Sequence, residues 1–258
     1  MAIKKKVNKE TTGEVFDFVH GYKDADGTLH KDFELVEMTG ADEEAISRGE
    51  IKNNGSKVAR VLLDRCCIRV GTLYKAEMKP QDWTKIFQTL EVGDLDVMMM
   101  RLRQISIGET IKTQHICPNP ECKAEINTEI DIDELQEIPF DGEEVIEFEL
   151  PRGFRDKDGN LIKKGKMRRP NGLDREVLDP IIKKNLGLAN TMMLSRCVLE
   201  FEGSKVYDDI IRTLTVKDRN YLLDLVRDHN YGLDLSVEIV CPNCGETFKA
   251  SLNATNFI

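Results

Sequence analysis

Long apolar runs are missing from this chain of 258 residues, and none approaches the about 20 residues that a membrane-spanning helix needs. The opening stretch from Met1 to Lys9 has no apolar core after its lysines, so no signal peptide is expected there. An excess of positive charge is missing as well, with 37 Lys and Arg against 46 Asp and Glu. The formal net charge is -9, and the only dense basic stretch is Lys163 to Pro170. Binding to a nucleic-acid backbone needs a clustered basic face, so that class of partner is disfavoured. Catalytic signatures are also missing: there is no Gly-rich phosphate loop, no Gly-x-Ser-x-Gly and no His-Glu-x-x-His. Four histidines, His20, His30, His115 and His229, stand at no spacing that suggests a triad or a catalytic metal. What remains is the composition of a soluble globular protein, long enough for one large domain or two modest ones.

Against that background the seven cysteines stand out, because four of them fall into two short motifs, Cys117-Pro-Asn-Pro-Glu-Cys122 and Cys241-Pro-Asn-Cys244. Zinc takes four thiolates at tetrahedral corners, and a tight turn carrying two cysteines supplies half of such a set. Strand-like segments flank each motif: Thr110 to Ile116 and Ala124 to Ile132 around the first, Leu235 to Val240 and Thr247 to Leu252 around the second. The pattern predicts a zinc ribbon made of two separated β-hairpins. Cys117, Cys122, Cys241 and Cys244 would bind one structural Zn2+ per chain, worth on the order of 10 kcal/mol of folding free energy. A disulfide within each pair, or four unconnected thiols, are the alternatives. His115, two residues before Cys117, is a further candidate ligand. Four cysteines leave no open coordination position, so the metal reads as structural and the chain as no enzyme. Cys66, Cys67 and Cys197 read as core residues, and unpaired thiols of this kind fit a reducing cytoplasm.

The two motifs also expose an internal repeat. At an offset of 124, Leu90, Val92, Asp94, Arg103, Gly108 and Cys117 fall on Leu214, Val216, Asp218, Arg227, Gly232 and Cys241. Upstream the offset becomes 132, and Phe16 to Glu44 lies over Phe148 to Glu176 without a gap, matching Gly21 to Gly153, Asp24 to Asp156, Gly40 to Gly172 and Asp42 to Asp174. Leu63, Arg65 and Cys66 match Leu194, Arg196 and Cys197. A unit of this length seen twice predicts an α+β tandem duplication, a fused pseudo-dimer with an approximate two-fold axis. The expected organisation is a flexible leader at 1–13, repeat 1 at 14–133, a linker at 134–144 and repeat 2 at 145–258.

Each repeat opens on a predicted hairpin, with strands Glu14 to Val19 and Leu29 to Met38 in the first, and Glu147 to Leu150 and Leu161 to Met167 in the second. Asp26-Gly27 and Asp158-Gly159 are turn signals; a calcium loop would need further oxygen ligands that are absent. Helices are expected from Gly40 and Gly172, over 57–69 and 189–199, over Lys79 to Phe87, and over Asp94 to Ile105 and Val216 to His229. Met98, Met99 and Leu102 stand at core-face spacing. Lys163 to Pro170 reads as a solvated edge strand, guarded by its lysines.

The segment from Phe148 to Leu161, with Arg168-Arg-Pro-Asn-Gly172-Leu-Asp-Arg-Glu176, resembles the phage tail assembly and baseplate proteins of contractile-tailed phages and related injection particles, the T-even-type baseplate family. Its first-repeat counterpart through Met38 to Glu44 does the same. The resemblance implies a non-enzymatic part in building or bracing a baseplate or hub, with other tail proteins as partners. Assembly would take place in the host cytoplasm, and the virion tail would be the destination of a retained subunit. A tail assembly chaperone that leaves the mature particle is the first alternative. A zinc-ribbon adaptor for nucleic acid or transcription is the second, against which the acidic balance counts.

Overall fold

The computed structural model describes residues 13–202, 204–205 and 208–252, so all of the expected leader except Gly13 lies outside it. The architecture is α+β, with eight α-helices among the described residues and several small antiparallel sheets. The first half begins with β1 (Glu14–Lys23) and β2 (Leu29–Leu35), continues through α1 (Gly40–Ile46) and α2 (Gly55–Cys66), and returns as β3 (Cys67–Val70) and β4 (Leu73–Tyr74). These four strands form one sheet in the order β1-β2-β3-β4. Two helices follow, α3 (Pro80–Thr89) and α4 (Val92–Ile107), then the hairpin β5 (Thr110–Ile116) and β6 (Glu125–Asp131). After the short β7 (Glu137–Ile138), the second half runs through β8 (Ile146–Arg155), β9 (Leu161–Met167), α5 (Gly172–Ile182) and α6 (Leu186–Cys197). It continues with β10 (Val198–Phe201), β11 (Ser204–Lys205), α7 (Asp208–Thr213), α8 (Val216–Asp228), β12 (Gly232–Leu233), β13 (Ser236–Val240) and β14 (Thr247–Ser251). The second four-stranded sheet has the order β8-β9-β10-β11.

Two expectations are corrected by the strand pairing. The helices predicted over 57–69 and 189–199 stop at Cys66 and Cys197, and the chain turns directly into β3 and β10. The cause is tertiary: Cys66 O and Cys197 O accept from Val36 N and Arg168 N, each at 2.9 Å, which ties the helix ends to the preceding strands. Secondly, β9 is an inner strand with partners on both sides, not a solvated edge. The basic stretch then runs inward, and Arg169 is only 3% exposed.

Buried carboxylates explain why several matched aspartates are there. The pairing of β1 with β2 shifts between Asp17 and Tyr22, and that of β8 with β9 between Glu149 and Phe154. Each shift is a bulge that leaves backbone N–H groups without a sheet partner. Asp94, at the start of α4, accepts from Val19 N at 2.8 Å, His20 N at 3.2 Å and Gly21 N at 2.8 Å. Asp218, at the start of α8, accepts from Arg152 N at 2.7 Å. Both aspartates are fully buried. Gly21 sits at φ +114, and a Cβ there would lie 2.4 Å from His30 O, so the bulge admits only glycine. Asp42 and Asp174 close capping boxes on α1 and α5, and each takes an arginine from the following helix, Arg65 at 2.5 Å and Arg196 at 2.6 Å. Burial raises the Asp174 carboxyl, but Arg168, the Asn171 N–H and Arg196 outweigh it and hold the group below its usual range.

Three clusters of buried side chains follow this plan. One fills the first half, with Phe33, Leu63, Met98, Met99 and Leu102; one fills the second, with Phe148, Met167, Leu194, Phe201 and Leu222; the third lies between the cysteine hairpins. Cys66, Cys67 and Cys197 are buried in the two larger cores, where loss of water pushes each thiol up to about 12.

The two larger bodies do not meet about a two-fold axis. Helix α5 of the second half packs on α2, α3 and α4 of the first. Val92 N donates to Pro170 O at 3.1 Å, and Gly172 N donates to Leu90 O at 3.0 Å. A two-fold would require the matched residues Met38, Gly40, Leu214 and Val216 to repeat these bonds, and no such bonds form among the described residues. The stretch 134–144 is tied to both halves: β7 pairs with β12, Phe140 stacks on His20, and Asp141 accepts from Arg169 at 2.5 Å.

Candidate metal centre

The hairpins β5–β6 and β13–β14 bring their turns together, and the sequence chemistry of each turn fixes where its sulfurs point. In the first, Cys117 N donates to Ala124 O at 2.9 Å, while Asn119 O accepts from Cys122 N and Lys123 N. The Asn119 side chain caps the same turn by accepting from Glu121 N at 3.0 Å. In the second, Cys241 N donates to Glu246 O at 2.8 Å and Gly245 N to Cys241 O at 2.9 Å. The residue after the last cysteine is left-handed in both turns, Lys123 at φ 47 and Gly245 at φ 77. Lysine carries a steric cost there that glycine does not. Lys123→Gly is expected to stabilise the hairpin by about 0.5 kcal/mol, net of the added freedom of the unfolded chain, and Gly245→Ala to destabilise it by about 1 kcal/mol. Urea midpoints measured on the metal-loaded protein check both.

Four sulfurs converge at the junction. Cys117 Sγ lies 3.6 Å from Cys244 Sγ, and Cys122 Sγ lies 3.8 Å from Cys241 Sγ. All four sulfurs fall within 4.8 Å of one another. A disulfide would bring a pair to about 2.05 Å, and none forms. A tetrahedral ion with metal–sulfur bonds of about 2.3 Å holds its sulfurs about 3.8 Å apart. The observed spacings therefore suit a metal ion. Exchanging the two hairpins turns one close pair into the other, so the four sulfurs have the local two-fold that the larger bodies lack.

Beneath the sulfurs, Ile126 and Ile239 are buried with Ala124, Val237, Phe248 and Ala250 packed around them. This apolar floor keeps water from one side of the cluster. Asn243 donates its side-chain amide across the junction to Cys122 Sγ at 3.2 Å, and that bond lowers the Cys122 thiol to about 7. Burial pushes Cys117 up to about 12. Four thiols this close cannot all ionise without a cation among them, so metal uptake releases protons and its affinity rises with pH.

The histidines lie elsewhere. His115 Nε2 is bonded to Thr113 Oγ1 at 2.8 Å, and its ring meets the edge of Phe248, outside the four-sulfur group. His30 contacts Asp24, His229 contacts Asp141, and His20 stacks on Phe140, each as part of the local packing. Asp24 and Asp156 cap their turns by accepting from the backbone two and four residues on. Asn243 was visible in the sequence only as a turn residue, and its reach to the opposite hairpin depends on the docking of the two turns.

The fold and the sulfur cluster together define a mixed helix-and-sheet protein in which two hairpins bring four thiols to one junction. Residues 78–198 match the model of a family described as T4 bacteriophage base plate protein. The matched stretch runs from α3 through the first cysteine hairpin and the second opening hairpin to the end of α6; it leaves out β1, β2 and the second cysteine hairpin. No curated protein and no solved structure matches. The family resemblance read in Phe148 to Glu176 thus recurs in this comparison. No helix among the described residues is long and apolar enough to cross a membrane.

Proposed function

We propose that this protein is a non-enzymatic structural or assembly component of a contractile phage tail, working at the baseplate or hub and braced by one structural zinc. The family match over residues 78–198 carries this reading, because it spans both halves of the chain. In this reading the chain is a tandem duplication whose units have kept one sheet order and one set of buried aspartates. Cys117, Cys122, Cys241 and Cys244 are the ligands, two from each unit, and the zinc closes the ribbon between them. Other tail proteins are the partners, with assembly in the host cytoplasm.

Peptide mass spectrometry on density-purified particles tests the role. A stoichiometric presence, with a copy number fixed against the tail-tube subunit, is expected. Absence from particles together with abundance in lysate, bound to one tail protein, would make the protein an assembly chaperone. Elemental analysis tests the site separately. One zinc per chain is expected in protein purified without chelator; two zincs, or none, would sink the shared site.

A further inference from the structure

The contact between the two halves uses one surface from each, and the matched counterpart of each surface is exposed at many of its positions. Inside the chain, the edge from Pro170 to Glu176 seats on the first half. Glu91 and Asn171 form a β-bridge, Asn54 Nδ2 donates to Glu176 O at 2.8 Å, and Arg60 Nε donates to Glu176 Oε2 at 2.7 Å. Arg175 pairs with Asp96. The approach is close enough that a Cβ on Gly172 would lie 2.0 Å from Phe87 O.

The counterpart of the seated edge is Met38 to Glu44. Thr39, Gly40, Glu43 and Glu44 are exposed, whereas their counterparts Asn171, Gly172, Arg175 and Glu176 are half-buried. Among the described residues Gly40 has no atom within 4 Å of a Cβ placed on it, so none of them requires glycine there. The counterpart of the receiving surface is the face of α6 and α8. Val216 is 73% exposed and Leu186 62%. The α6 N-cap residue Asn185, which matches Asn54, is exposed too.

We propose that copies of this chain associate head to tail, the Met38–Glu44 edge of one copy docking on the α6–α8 face of the next. Charge favours the fit. The edge presents Glu43 and Glu44, and the receiving face presents Lys217 and Arg219. Arg219 reaches Thr191 Oγ1 at 2.8 Å, so its guanidinium lies beside the residue that matches Arg60. Asn220 matches Asp96 and replaces a carboxylate with an amide, which suits Glu43 where Asp96 suits Arg175. One part of the internal contact is not repeated. Gly232 lies against Gly93 inside the chain, and Lys217 stands at the position matching Gly93. The contact between copies is therefore smaller than the internal one and weaker. Because its two surfaces differ, it repeats in one direction and closes into a ring or extends. The proposal rests on the repeat reading and not on the baseplate role.

Sedimentation velocity on the full metal-loaded chain, from micromolar to near-millimolar concentration, tests it. The wild type is expected to gain mass with concentration, and added salt to reverse the gain. Gly40→Phe and Val216→Glu are each expected to stay monomeric with unchanged melting temperatures, since both positions are open in the single chain. An equimolar mixture of the two variants retains one intact edge and one intact face, so it is expected to stop at the dimer. A wild type that stays monomeric throughout, a Gly40→Phe variant that associates like the wild type, or a mixture that fails to pair would each overturn the proposal. None of these results would bear on whether the protein is found in phage particles.

Discussion

Cys241→Ser protein is expected to lose its metal and, with it, hydrogen-exchange protection throughout β5, β6, β13 and β14, while β2 and β9 keep theirs. Two-stranded hairpins are marginal by themselves in water. Here the floor beneath the sulfurs holds only a few side chains, chiefly Ile126, Ile239 and Phe248. A structural zinc is worth on the order of 10 kcal/mol, which exceeds what so small a core can supply. Chelation of the wild type is expected to produce the same pattern. The two larger bodies behave differently, because α5 packs on α2, α3 and α4 without help from the metal. Loss of the proposed zinc is therefore expected to open the ribbon and to leave the halves joined. Retained protection at Ile126 and Ile239 in the serine variant would show the ribbon to be stable without metal.

That separation of ribbon from bodies was only partly legible in the sequence. The cysteine motifs and their flanking strands were readable because ligand spacing and alternation are local properties. The α+β class and the starts of α1, α3 and α5 were readable for the same reason: Pro80 at the head of α3 and the Asp42 and Asp174 capping boxes are signals within one turn. The end of α2 was not, since Cys67 to Val70 continues a helical period until Phe33 and Glu34 offer it a strand to pair with. Nor was the inner position of β9, which depends on β10 arriving from 30 residues downstream, or the one-way docking of α5. Lys163 to Pro170 looked like a guarded edge because its charge pattern suits one. Its arginines are instead spent inside, Arg168 on Asp174 and Arg169 on the carbonyls of Glu143 and His229.

The matched aspartates were plain in the sequence, yet only the bulges reveal their purpose, and this leads to the second large effect. Asp94→Ala is expected to cost at least about 4 kcal/mol of stability. The carboxylate accepts from three successive backbone N–H groups of β1 and from Tyr231 Oη at 3.0 Å, in a site with no water contact. Alanine leaves all four donors buried and unpaired, at about 1–3 kcal/mol each before the bulge relaxes. Asp94→Asn keeps the shape but turns an amide donor toward N–H groups on one side, so it is expected to cost about 2 kcal/mol. Asp218→Ala is the informative comparison. Among the described residues Asp218 accepts from Arg152 N and Thr215 Oγ1, and no described side chain from the other half reaches it, so a cost of about 2 kcal/mol confined to the second half is expected. Asp94 differs because Tyr231 joins the two halves: its ring lies against Gly93, and β12 follows directly. Loss of Asp94 is therefore expected to free β12 and β7 as well as the β1 bulge, visible as lost exchange protection at Gly232 and Ile138. Urea midpoints that fall equally for Asp94→Ala and Asp218→Ala would mean that the aspartate anchors only its own bulge and that Tyr231 holds the halves together by packing alone.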